Sequence, residues 1–330
     1  MPKIVRFHET GEADVLKVED MPMPEPGDGD VRIKVEAIGL NRAEVMFRKG
    51  MYLQQPTLPS CLGYEAAGVV DAVGAGVKSV KVGDRVSTIP AFSMGDYWSY
   101  GEIALAPERA VAHYPDTLSP AEGASIWMQY MTAYGALVEF STIAKGDAVI
   151  ITAASSSVGI AAIQMVKAAG GIAIATTRGA DKKEFLLEQG ADHVIVTDDE
   201  SLSGRVMEIT SGKGAAIVFD PVAGPMIEEL ANAAAQGGVI YQYGALSPDP
   251  TPYPLFQSLQ KALTIRGYTL FEIAANPDAY ERGKQHIYKH LKSGAYKPVV
   301  DKKTFTLDQI ADAHRHMESN TQLGKIVVTV

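Results

Sequence analysis

Nineteen consecutive residues between Asp147 and Lys167, AVIITAASSSVGIAAIQMV, carry no charge, and midway along them an apolar β-branched run breaks into three serines, Val158 and Gly159. Val149 to Thr152 suits a buried strand of a parallel sheet, and Gly159 to Lys167 lines one helical face with small or apolar side chains. The turn joining them presents unpaired backbone N–H groups at a helix N-terminus, where the helix dipole favours an anion. A pyrophosphate fits that geometry. The usual dinucleotide fingerprint is GxGxxG. Its three positions read Ala154, Ser156 and Gly159 here, and Ser155, Ser156 and Ser157 add hydroxyl donors that glycine lacks. Alone, the stretch also suits a serine-rich loop or an apolar span, but a bilayer needs a longer run than the serines leave uninterrupted.

The following residues repeat the strand–helix alternation. IAIATT is followed by the helix-like EFLLEQ, then HVIVT, AAIVFD ending at Asp220, a helix-like segment from Pro225 to Ala235, and GGVIYQYG ending at Gly244. Continuous apolar strands alternating with helices define an α/β fold, a Rossmann-type doubly wound parallel sheet. The end of its second strand selects the cofactor. An NAD site places Asp or Glu there, about twenty residues past the glycines, for the ribose 2′-hydroxyl. This chain has Thr177 and Arg178, with Lys182 one turn further on. Those cations pair with a 2′-phosphate by charge-assisted hydrogen bonds, so the expected cofactor is NADPH rather than NADH. A solvated basic helix start is the alternative reading of Arg178 and Lys182.

At 330 residues the chain is long enough for two domains, and 46% hydrophobic with 21% charged residues is an ordinary globular composition. A net charge of −9 with no run of Lys and Arg argues against a nucleic-acid partner. MPKIVRFHETGEAD lacks the apolar centre of a signal peptide, and a lone Cys61 forms no disulfide framework, so the expected setting is cytoplasmic, with no membrane partner. Residues 1 to 125 hold short β-like runs punctuated by turns, a β-rich domain that the tail from about 271 to 330 completes; residues 126 to 270 form the nucleotide-binding domain.

Four segments, GLNRAEVMFRKGMY, LGYEAAGVVDAVGAGV, KVGDRV, and MTAYGAL with AASSSVG, resemble the medium-chain dehydrogenase/reductase superfamily, most of all its zinc-free quinone oxidoreductase, zeta-crystallin-like branch. GADHVI, FDPVAG and the closing GKIVV extend the similarity over nearly the whole chain. The resemblance implies a GroES-like catalytic domain before the Rossmann domain. It also implies that Asn41, Tyr64 and Met128 stand where zinc-dependent relatives carry catalytic metal ligands. These are poor or incapable zinc donors, so no metal is expected. His286 with His290 and His314 with His316 have suggestive spacing, but each pair lies in a charge-rich helical stretch and reads as a solvated face.

Without a Lewis acid, simple alcohol oxidation is disfavoured, whereas hydride transfer to a quinone or an α,β-unsaturated carbonyl (enal or enone) needs only positioning and a donor for the developing oxyanion. The resemblance makes Tyr52 the first candidate donor and Tyr64 the second. It implies Asn41 as a hydrogen-bonding partner of substrate or nicotinamide ribose, and Thr132 as a neighbour of the nicotinamide. Glu65 reads as structural, and Trp127, Met128 and Phe271 as apolar walls or core. Alcohol oxidation and non-enzymatic NADPH binding are the competing functions. The family also implies a homodimer paired through LTIRGYTL, residues 263–270.

Overall fold

The computed structural model describes residues 1–330. They form two compact units, Met1–Met128 with Pro298–Val330, and Gln129–Lys297.

The first unit is built on a long strand. After β1 (Lys3–Phe7) and β2 (Lys17–Asp20), β3 (Asp30–Gly39) alternates buried and outward residues before all three of its last residues are buried. A half-solvated strand thus ends inside the core. β4 (Ser60–Cys61), β5 (Glu65–Val73), β6 (Arg85–Thr88), β7 (Ile103–Pro107) and β8 (Val111–His113) follow. β5 and β7 pair antiparallel with β3, β6 with β5 and β8 with β6, while β1 joins β2 and β4 in a separate three-stranded sheet.

The second unit holds β9 (Ala148–Ile151), β10 (Ile172–Thr177), β11 (His193–Val196), β12 (Ala215–Asp220), β13 (Ala234–Gln242) and β14 (Thr264–Gly267) in the order β11-β10-β9-β12-β13-β14, every pair parallel. Chain order reverses beside β9, the switch point at which doubly wound sheets bind nucleotides. Ile150, Ile174, Ile195, Val218 and Ile240 fill one face of this sheet. The chain then returns with β15 (Phe305–Thr306) and β16 (Val327–Thr329), and β16 pairs with the buried end of β3.

That return lies at Pro298, not near residue 271 as the sequence suggested. The intervening helix, Pro277–Ser293, buries Tyr280, Gly283, Ile287 and Leu291. Its Gly283 lets Met131 and Tyr134 approach, and His286 meets the Tyr134 ring, so its apolar stripe belongs to the second unit. No helix is long and apolar enough to cross a membrane.

Candidate functional site

β9 ends in a tight turn, with Ala153 at a positive φ of 46° and Ala154 buried, and Ser157–Ala169 forms the helix beyond. Ser156 is its N-cap, its hydroxyl accepting from Gly159 N at 3.1 Å. Neither Ser157 N nor Val158 N finds an acceptor in the chain. The surviving glycine has a steric reason. A Cβ on Gly159 would lie 2.5–2.7 Å from backbone atoms of Ala154. Helix and turn touch backbone to backbone at that one position, the task of the third fingerprint glycine.

Lys182 reaches the same turn, its ammonium donating to Ser155 Oγ at 3.3 Å, and Ala154 N donates to Thr176 O. Thr177 Oγ1 bonds to Gly179 O, and Arg178 is exposed at the end of β10. Gly244 follows β13, where a Cβ would meet Pro221 O at 2.8 Å. The buried Asp220 carboxylate takes Thr152 Oγ1, Val222 N, Ala223 N and Gln242 Nε2, tying the ends of β9, β12 and β13 together. Tyr243 Oη and Gln242 Oε1 are buried without a partner beside this layer. Capped N–H donors, hydroxyls and two cations form a donor set that fits the phosphates of a dinucleotide. Thr132 is buried on helix Trp127–Tyr134.

In the first unit, Tyr64 is buried at the entry to β5. Its main chain can turn inward there because Gly63 sits at φ 112°, against Tyr100. Its ring tilts against Phe92 at 5.7 Å, and its phenol neighbours that of Tyr52. Burial pushes both phenols above the ordinary tyrosine range, so both are protonated donors at neutral pH. Trp127 is core, its indole N–H donating to Ser87 Oγ at 2.8 Å.

Asn41 immediately precedes the helix Arg42–Arg48. Its amide N–H groups go to Glu44 Oε1 at 3.0 Å and Gly39 O at 3.3 Å, and its Oδ1 accepts from Lys325 Nζ at 2.5 Å. With both donors held inside the protein, it brackets the site rather than offering a donor to substrate. Lys325 also pairs with Glu65, whose other oxygen accepts from Met128 N at 2.9 Å. Glu44 accepts from Asn41 N, Tyr64 N and Tyr100 Oη, and burial raises its carboxyl above the usual range against those bonds. The positions that would carry a catalytic zinc therefore offer an amide oxygen already facing an ammonium, a protonated phenol and a thioether, and that set does not fit zinc.

Sequence reasoning missed Lys325 and Tyr100. It also placed both histidine pairs on solvated faces, which the structure corrects. His314 shares a buried stripe with Ile310, Ala313 and Met317, a helical spacing readable in the sequence. Its Nε2 lies 3.3 Å from Tyr100 Oη and its Nδ1 has no partner. The His286 ring is tilted against that of His290 with centroids 4.2 Å apart and shares a hydrogen bond with Tyr296 Oη. Burial, reinforced by the neighbouring Arg48, lowers His314 to about 3.

Because the unfolded chain takes up a proton near the ordinary histidine value and the folded chain does not, this stability is complete above about pH 6.5 and is lost as pH falls toward 3. By pH 5 the loss from this residue is about 2 kcal/mol. Urea midpoints measured from pH 7 to 5 should fall, and fall less in His314→Gln; parallel curves would show that His314 is not the cause.

Sheet order, the serine-capped turn and the presence of a separate β-rich unit define a dinucleotide-binding protein of the dehydrogenase class. Residues 27–147 match the alcohol dehydrogenase GroES-like domain and residues 157–284 the zinc-binding dehydrogenase family. The quinone oxidoreductase of Pseudomonas aeruginosa is 30% identical, the match covering 99% of each chain. Among solved structures, an Escherichia coli quinone oxidoreductase complexed with NADPH superposes with a TM-score of 0.90 at 28% identity, covering 99% of this chain and 100% of the other. An NAD-dependent alcohol dehydrogenase gives 0.90 at 31% identity, covering 99% of each. The chain belongs to the medium-chain dehydrogenase/reductase superfamily, in its quinone oxidoreductase branch, and is an enzyme of that type.

Proposed function

We propose that this enzyme delivers hydride from NADPH to a quinone or an α,β-unsaturated carbonyl without zinc, with Tyr52 and Tyr64 donating to the acceptor oxygen. NADPH is the cofactor and supplies the hydride when bound. Ser155, Ser156 and Ser157, with the N–H groups of Val158 and Gly159, would hold its pyrophosphate, and Thr177, Arg178 and Lys182 its 2′-phosphate. Thr132 and Gly244 would flank it further along. The observation that carries the reading is the pair of neighbouring phenols, Tyr52 and Tyr64, kept protonated by burial, with Tyr64 at a position where zinc-dependent relatives hold a ligand. A phenol that stays neutral stabilises charge developing on a carbonyl oxygen.

Incubating the protein with NADPH and a panel of 1,4-quinones, enals and enones should show cofactor oxidation in the absence of added metal. NADP⁺ with alcohols should give far less. Stoichiometric zinc in the purified protein, or turnover confined to alcohols, would defeat the proposal. Tyr52→Phe should lower turnover by ~10²-fold, the usual contribution of a positioned proton donor. Unchanged rates on every active acceptor would remove Tyr52 from the mechanism.

We further propose a cytoplasmic homodimer. The edge strand β14 pairs only with β13, and the preceding helix Leu255–Lys261 exposes Phe256 at 80% and Leu259 at 72%, an apolar surface beside an open strand edge. Light scattering should give a dimer that Phe256→Glu/Leu259→Glu converts to monomer; a monomeric parent protein would refute it.

A further inference from the structure

β3 places Gly39 between two partners, Glu65 on β5 and Val327 on β16. Lys325 enters two residues before Val327, and its side chain passes over Gly39, where a Cβ would lie 2.7 Å from Lys325 Cε and 1.9 Å from Ala124 O. The ammonium that arrives there is 1% exposed, as is Glu65. It has two acceptors, Glu65 Oε2 and Asn41 Oδ1. Because an ammonium only donates and Glu44 only accepts when ionised, the Asn41 amide is held in one orientation, Oδ1 toward Lys325 and Nδ2 toward Glu44. From these two anchors the network reaches Met128 N through Glu65 at 2.9 Å, and Tyr64 N through Glu44 at 3.0 Å.

We infer that Lys325 is a positioning residue: its ammonium is the internal cation that organises Asn41, Tyr64 and Met128, the work a metal ion does in zinc-dependent relatives. The inference rests on the reading of Tyr64 as an acceptor-side donor. Lys325 acts on it through Asn41 and Glu44, and touches no substrate.

The test separates the two readings. Asparagine occurs only at 41, 232, 276 and 320, so protein labelled with [15N]asparagine shows four side-chain amide pairs, assigned by replacing the other three asparagines in turn. In the parent protein the Asn41 pair should exchange with water at least about a hundredfold more slowly than the exposed Asn320 pair, as expected of a buried, fully bonded amide. Equal exchange would overturn the inference without any variant.

Lys325→Met alone strands a buried carboxylate and is expected to fold poorly; Lys325→Met/Glu65→Leu removes both charges and should recover the thermal midpoint. In that double variant the Asn41 pair should shift and exchange at least about tenfold faster, and kcat should fall at least about tenfold while the Kd for NADPH, read by fluorescence, stays within about twofold. A recovered midpoint with parent-like amide signals or parent-like kcat would mean that the pair only fills space. If the parent protein reduces no acceptor, the proposed function fails, and the amide measurements still decide the role of Lys325.

Discussion

Gly159→Ala should destabilise the second unit by about 2–3 kcal/mol and weaken NADPH binding by at least about thirtyfold. The added methyl has nowhere to go, because it meets Cα, C and O of Ala154, which are backbone atoms of a buried turn. Relief requires the helix Ser157–Ala169 to move away from β9, and the N–H groups of Ser157, Val158 and Gly159 move with it. Stability and affinity are therefore expected to fall together. Gly204→Ala is the control: it lies in a helical first turn, and its Cβ meets only the Ser201 side chain, so that variant should be near neutral. Thermal melts and a cofactor titration on both variants decide the matter. A Gly159→Ala protein as stable and as tightly binding as the parent would show that the close approach is not a constraint.

Reversing charge at Arg178 and Lys182 should invert the cofactor preference. Arg178 is exposed at the end of β10, and Lys182 already touches Ser155 in the phosphate turn, so a 2′-phosphate would meet two cations there. Each charged hydrogen bond contributes about 1.5–3 kcal/mol, less at an exposed position, and Arg178→Glu/Lys182→Glu should therefore raise the Kd for NADPH by about 10²-fold or more. NADH, which presents only hydroxyls to that spot, should change little. In the parent protein, added salt should weaken NADPH more than NADH. Equal losses for both cofactors would mean that the two side chains stabilise the fold rather than read the phosphate.

What could be read in the sequence, and what could not, divides along the range of the interactions. The helix Pro277–Ser293 carries local boundary signals, Asn276 as cap, Pro277 at the first position and Gly294 as left-handed stop. Five of the six parallel strands were visible as apolar runs between helical stretches because both faces of such a sheet are covered. The same helix was nonetheless given to the wrong unit, since an amphipathic stripe shows that a helix packs and not on what. Tyr52 and Tyr64 were singled out through family resemblance; that their phenols are neighbours was not readable.

Lys325 left no local signal beyond being one cation ahead of an apolar strand, because its partners Asn41 and Glu65 lie 284 and 260 positions away. The surroundings of Asn41 were hidden for the same reason: its partners Glu44 and Lys325 could not be read from the residues beside it. His314 was recoverable, because its spacing from Ile310 and Met317 outweighs the charged residues beside it.

The division of the chain also has a consequence for biosynthesis. Residues 129–297 form one uninterrupted unit, whereas the first unit encloses that whole segment between its two parts. On the ribosome the nucleotide-binding sheet has all its strands before Lys325 exists, so the Glu65 carboxylate must wait through the synthesis of more than half the protein for the cation that pairs with it. The order of translation therefore sets the order of assembly: the cofactor-holding half matures first, and the tyrosine-bearing half closes last.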